Sequence, residues 1–217
     1  MVTHAQHPHA HAYQLLVSSE LQQIQACREL RERVFAHELQ WVPRSVDGQE
    51  RDAFDSGSVH VAVIHQWQVA GYLRITPYGK PWMLNECFSF LLEAGARSEM
   101  GQDSLEVSRL AVERKHRGRT LHDHYSVFDQ LITGIIDYSL RTHCRYWFVV
   151  VAEPIYRLLL KKGLPCARLG PIVQMPDGVQ TLAVRIDLQA FMHSAPSFFS
   201  AATGLQVQTS PREIMVV

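Results

Sequence analysis

The chain has 217 residues, enough for one domain with its own hydrophobic core and short tails. Its 21 Lys and Arg balance its 21 Asp and Glu, and 47% of its residues are hydrophobic, an ordinary globular composition. The basic excess that marks dedicated nucleic-acid or membrane-surface proteins is lacking, and no apolar run approaches the roughly 20 residues of a membrane span.

In chain order, residues 1–11 read as a polar tail. His4, His7, His9 and His11 alternate there, a pattern that a frayed terminus explains better than a metal site, so no metal is expected. The first ten residues lack the charged and apolar regions of a signal peptide. Cys27, Cys87, Cys144 and Cys166 form no C-x-x-C pair, which fits buried thiols in a reducing compartment; the expected location is cytoplasmic. Residues 13–17 read as a strand. Ser19 and Gln22 have capping-box spacing, and Leu21, Ile24, Cys27, Leu30 and Val34 recur at helical spacing, predicting a helix towards Leu39. Residues 40–58 carry Trp41, Pro43, Gly48 and several acids with no clean period. They predict a long loop, and loops above about 12–15 residues are usually functional.

Residues 59–65 and 69–75 predict a β-hairpin, and 82–92 a helix with Gly95 near its end. Residues 104–112 read as a strand followed by the basic turn "RKHRGRT" at 114–120. Tyr125, Phe128, Leu131, Ile132, Ile135 and Ile136 mark an amphipathic helix. The apolar run 146–152 predicts a central strand buried on both faces. Pro154 opens a short helix that closes at Lys161, Lys162 and Gly163. Asp177-Gly178 joins two last strands. This order predicts a three-layer α/β domain, a mixed β-sheet flanked by helices, over residues 12–193. Residues 194–217, with Phe198, Phe199 and Leu205, form a C-terminal extension.

Three groups of residues are candidates for chemistry. Arg31 interrupts the apolar stripe of the first helix, on one face with Phe35; the plain alternative is a solvated face, since Arg28 and Arg33 are neighbours. Asp52 and Asp55 alone would be turn formers. Glu106, Ser108 and Arg109 lie inside an apolar strand, as does Arg74, and charges there must reach water or a partner. On a regular strand Glu106 and Arg109 point to opposite faces, and only a bulge would bring them together. Three such interruptions beside a carboxylate-rich loop suggest a buried ion network, with a functional or a structural role. The basic turn precedes a helix start, where backbone amides attract phosphate or another anion. With one patch and zero net charge, nucleic acid is not an expected partner.

Arg31-x3-Phe35, Trp41, Asp52-x2-Asp55, Arg74 and Glu106-x-Ser108-Arg109 together resemble the acyl-homoserine-lactone synthases, the autoinducer synthases of quorum sensing. The segments "ERDAFD", "GYLRITPYGKPWML" and "LEVSRLAV" extend the match, which covers about residues 13–188 and is densest over 31–112. Ile75 and Leu110 stand where the family commonly has Leu and Phe. The basic turn is a degenerate form of the GNAT pyrophosphate loop, with Lys115 and Thr120 at positions usually Gln or Arg and Gly or Ala.

The resemblance implies a GNAT-like fold and transfer of a fatty acyl group from an acyl thioester, of acyl carrier protein or coenzyme A, to the amine of S-adenosyl-L-methionine. Lactonisation and release of methylthioadenosine follow. Both reactants are substrates, and no further cofactor is implied. By the same resemblance Glu106, Ser108 and Arg109 are the catalytic group, with Glu106 as general base. Arg31, Phe35, Trp41, Asp52, Asp55 and Arg74 form the adenosylmethionine side. Phe88, Val149, Val150 and Val151 are expected to line the acyl pocket. Arg114, Lys115, Arg117 and Arg119 are expected to dock an acidic carrier protein or a phosphopantetheine phosphate. Two rivals compete: an N-acyl amino acid synthase of related fold, and a non-catalytic acyl-carrier or ligand sensor.

Overall fold

A mixed sheet organises the described residues, 13–19, 24–119, 125–195 and 207–208 of the computed structural model. Its strands are β1 (Gln14–Ser18), β2 (Val59–His65), β3 (Gln68–Pro77), β4 (Ser104–Val112), β5 (Tyr146–Ala152), β6 (Cys166–Arg168), β7 (Val173–Gln174), β8 (Gln180–Asp187) and β9 (Val207–Gln208). The order across the sheet is β6-β8-β5-β4-β3-β2-β1-β9, with β7 beside β8. β4 and β5 are parallel, as are β1 and β9, and the remaining pairs are antiparallel. The expected tail, Leu21, Gln22, Thr120 and the aromatic residues of the expected extension lie outside the described residues.

Strand alternation sorts the side chains into three layers. On one face Val61, Leu73, Leu105, Trp147 and Val184 meet α3 (Val127–Thr142), α4 (Glu153–Lys161) and α5 (Leu188–Ser194). On the other, Ala62, Tyr72 and Ala111 meet α1 (Gln25–Arg31), while Phe148 and Ala183 meet Leu84 of α2 (Met83–Glu86) together with Trp82, Leu91 and Ala96. This is the expected three-layer α/β arrangement. α3 lies so close to the sheet that a Cβ at Gly134 would come 2.4 Å from a methyl of Val61.

Two features of the sheet shape the site. β4 and β5 pair only as far as Val107 and Val149. Beyond that point β4 continues to Val112 beside β3 and β5 continues to Ala152 beside β8, so the two strands part and leave a wedge. Trp147 and Phe148 are buried as expected of a central strand, but Val149 and Val150, at the wedge, are only half-buried. Opposite Leu73, β4 carries an extra residue between Ser108 and Ala111, a bulge at which Arg109 takes a positive φ of 56°.

Three expectations are corrected. The helix after α1 widens into a π-helix, Glu32–Glu38, with Leu39 N–H donating to Val34 O at 2.9 Å. The predicted helix over 82–92 is only one turn, α2, followed by 3-10 turns Ser89–Leu91 and Ala96–Glu99. Tertiary contacts override its propensity. Glu93 N–H donates to Leu169 O at 2.8 Å, and Gly170 sits so tightly on Leu91 that a Cβ would lie 2.2 Å from its carbonyl oxygen. The sequence gives no sign of β6 and β9, because three- and two-residue strands carry no readable period, and the helix α5, about two turns long, is a further addition.

Gly134→Ala tests the packing of α3. Alanine is the better helix former by about 1 kcal/mol, but overpacking costs about 1–3 kcal/mol. The urea midpoint should fall; an unchanged or raised midpoint contradicts the close approach of α3.

Candidate active site

The ion network expected from sequence exists, and it divides the α1–α2 face of the sheet between the two apolar clusters there. Arg31 and Arg74 are fully buried. Arg31 donates through Nη1 to Asp55 at 2.6 Å and through Nε to Glu50. Arg74 donates through Nη1 to Asp55 at 2.7 Å and to Asp52, and through Nε to Ser108 Oγ at 3.1 Å. Arg109 reaches Asp52 at 2.8 Å and Glu50 at 3.1 Å. Three guanidinium groups thus face three carboxylates. The solvated-face alternative for Arg31 fails, because the stripe of α1 carries the side chain inward with Cys27 and Leu30.

The carboxylates come from one segment of the loop. Asp52 caps the 3-10 turn Ala53–Asp55: its Oδ1 accepts from Phe54 N–H at 2.9 Å, and Asp55 reciprocates on Asp52 N–H. The turn-former and ion-partner readings of these aspartates are both realised. The structure also adds Glu50, which bridges Arg31 and Arg109 and is 5% exposed. Its only signal in the sequence is its place two residues before Asp52 in "ERDAFD".

The bulge turns Arg109 onto the face that carries Glu106. Glu106 is buried, and its two carboxylate oxygens accept from Met83 N–H at 2.9 Å and Leu84 N–H at 2.7 Å, anchoring the first turn of α2. Burial pushes its pKa up, against these two hydrogen bonds. Met83 Sδ lies 2.9 Å from Arg74 Nη2 and 3.4 Å from Arg109 Nη1, tying the arginines to the same turn.

Phe35 and Trp41 stack with ring centroids 6.2 Å apart, and Arg109 lies over Phe35. Trp41 is 44% exposed, an accessible aromatic face beside the ion network. A cavity of about 440 Å³ opens on the acidic turn, lined by Arg28, Arg51, Asp52, Asp55, Ser56 and Ser58. Among the described residues no cluster of three His, Cys, Asp or Glu could hold a metal ion.

The four expected acyl-pocket residues do not form one surface. Phe88 and Val150 pack on the α2 side of the sheet, whereas strand alternation sends Val149 and Val151 to the α3–α4 side. Arg114, Lys115, Arg117 and Arg119 are all exposed, at the end of β4. Lys115 donates to Gln68 at 2.7 Å, and Arg117 pairs with Glu38 at 2.7 Å. The start of α3 is already capped: Ser126 Oγ accepts from Asp129 N–H at 3.2 Å, and the Asp129 carboxylate meets Lys162 at 2.7 Å. At the turn itself the groups open to an anion are the exposed cations.

Comparison with known proteins agrees with this architecture. The autoinducer synthase profile matches residues 13–191, and the chain belongs to the autoinducer synthase family. An acyl-homoserine-lactone synthase of Vibrio anguillarum is 29% identical over 144 residues, 65% of this chain and 74% of the relative. One from Agrobacterium fabrum is 33% identical over 147 residues, 65% of this chain and 68% of the relative. The structure of BjaI, a CoA-dependent acyl-homoserine lactone synthase with SAM and isopentyl-CoA, superposes with a TM-score of 0.74 at 20% identity, covering 93% of this chain and 96% of the other. Membership makes the protein an acyltransferase of the acyl-homoserine-lactone synthase class.

The site also sets a pH dependence. His60, buried on β2 beside the network with Nδ1 2.6 Å from the Tyr72 hydroxyl, is lowered by burial to about 4. Unfolded histidine titrates near ~6.5. Between these values the unfolded chain binds more protons, so stability rises with pH across the window and is lost on acidification from about 6.5. Burial opposes ionisation of Asp55, but Arg31 and Arg74 outweigh it and hold the carboxyl below the usual range; its contribution disappears at lower pH still. Urea midpoints from pH 7.5 to 4.5 should fall, and His60→Gln should flatten the upper part of that slope. An identical slope in the variant contradicts a neutral buried His60.

Proposed function

We propose that the protein joins an acyl thioester to S-adenosyl-L-methionine to make an acyl-homoserine lactone. The observation that supports this best is the ordered acidic loop, with Trp41, beside Glu106 at the wedge between β4 and β5. The amine nitrogen of adenosylmethionine attacks the thioester carbonyl carbon, an amide forms, and the carbon–sulfur bond breaks to release the thiol. The carboxylate oxygen of the acylated product then attacks the carbon next to the sulfonium. That carbon–sulfur bond breaks, closing the lactone and releasing methylthioadenosine.

Glu106 takes the proton of the attacking amine, directly or through one water. Each of its oxygens keeps a lone pair beyond its amide contact, and its raised pKa suits a base working near neutrality. Where β4 and β5 part, no strand among the described residues pairs their facing edges, and backbone amides there would stabilise the tetrahedral oxyanion. Asp52, Asp55 and the Trp41 face suit a cationic substrate; Arg31, Arg74 and Arg109 hold the carboxylates in place, and Ser108 Oγ accepts from Arg74. The acyl chain enters the wedge against Val150 and Phe88, with Val149 and Val151 behind the strand. The donor is a thioester of acyl carrier protein or coenzyme A, and the exposed cations at 114–119 meet its acidic surface or phosphate. No resident cofactor is required by these steps. Only Cys27 is buried, against the expectation of buried thiols, and Cys87 is exposed; four unpaired thiols still suit a reducing, cytoplasmic location. Among the described residues no helix is long and apolar enough to cross a membrane.

Purified protein given adenosylmethionine and a panel of acyl thioesters should yield methylthioadenosine and an acyl lactone by mass spectrometry. An open-chain acyl amino acid would support the amino acid synthase instead, and no product would support the sensor. Glu106→Gln should cut turnover by about 100- to 10,000-fold with an unchanged circular dichroism spectrum; retained turnover would remove Glu106 from the role of base.

A further inference from the structure

Between Pro43 and Gly48 every residue of the long loop is exposed except Ser45. Ser45 is the point at which this stretch is fastened down, and what fastens it is Glu32, a buried carboxylate on the π-helix. Glu32 accepts from Ser45 N–H at 3.1 Å and from Ser45 Oγ at 2.7 Å. Its third neighbour is His37, whose Nε2 lies 3.3 Å from Oε1. Residues five apart face different sides of an α-helix, at 3.6 residues per turn. The wider π winding aligns them, and so converges His37 and Ser45 on one buried anion.

Trp41 lies four residues before Ser45, and Glu50 five residues after it. The first stacks on Phe35 and the second bridges Arg31 and Arg109. A clamp midway between them limits how far either can move. We infer that Glu32 is a positioning residue that, through Ser45, holds residues 41–50 in the conformation that receives the adenosylmethionine side of the reaction. The inference rests on the proposed function for the identity of that substrate. Glu32 touches neither the ion network nor Glu106 in any contact of the described residues, so it acts on binding rather than on the chemical step.

Glu32→Gln, Ser45→Ala and the double variant test it. With the acyl thioester saturating, each single variant should raise the KM for adenosylmethionine by about tenfold, the factor for loss of a hydrogen bond to a charged group, while kcat stays within about twofold. The double variant should be well short of the product of the two single effects, because both weaken the same Glu32–Ser45 clamp. Unchanged KM, multiplying effects, or a fall in kcat at constant KM would overturn the inference. Tryptic cleavage after the exposed Arg44 gives a readout independent of catalysis. It should be faster in both single variants, and equal rates would overturn the clamp even in a preparation that makes no acyl lactone. Ser45→Ala, a loop substitution, keeps the test open should Glu32→Gln fail to fold.

Discussion

Arg31 and Arg74 have no access to water, and the cost of an isolated buried charge is several kcal/mol. Their positions on α1 and β3 are fixed by the apolar residues around them, so the carboxylates must come to them. The loop supplies these from Glu50, Asp52 and Asp55. This requirement orders the long loop, and ordering it sets Asp52 against Arg109 at the bulge of β4, with Trp41 stacked on Phe35. Removing one partner from such a set typically costs about 3–5 kcal/mol, because the group left behind stays buried and unpaired. The charges that order the loop are thus inseparable from the packing of α1 on the sheet.

The sheet contributes two irregularities that a regular strand pair could not. The bulge at Arg109 places a third guanidinium on the face that carries Glu106, closing the network against the first turn of α2. The parting of β4 and β5 beyond Val107 and Val149 opens a wedge one residue past that carboxylate. Glu106 joins the two regions: its carboxylate anchors Met83 and Leu84, and the sulfur of Met83 in turn contacts Arg74 and Arg109. A single carboxylate therefore has both a structural attachment and lone pairs left for chemistry.

Much of this was legible because charge inside an apolar strand is conspicuous. Arg74, Glu106 and Arg109 signal a network in the sequence itself, and α3, through its helical spacing, and β5, through its continuous apolar run, lie where the sequence puts them. Glu50 was not legible, since one acid in an aperiodic loop looks like its neighbours. The π-helix was hidden because the spacing from Ile24 to Val34 suits an α-helix equally well. Val149 to Val151 share one apolar run, but two-residue alternation sends Val150 to one side of the sheet and Val149 and Val151 to the other. The helix expected over 82–92 failed for a tertiary reason, the pull of Leu169 and Gly170 on the chain at Leu91 to Glu93, which local sequence does not carry.

The dependence of the loop on the ion network is most directly tested by hydrogen exchange in Asp55→Asn, which keeps the shape of the side chain and removes its charge from Arg31 and Arg74. The account predicts much faster exchange in peptides spanning 40–58, unchanged protection in β5 and β8, and loss of adenosylmethionine binding. Wild-type protection of 40–58 in this variant would contradict it.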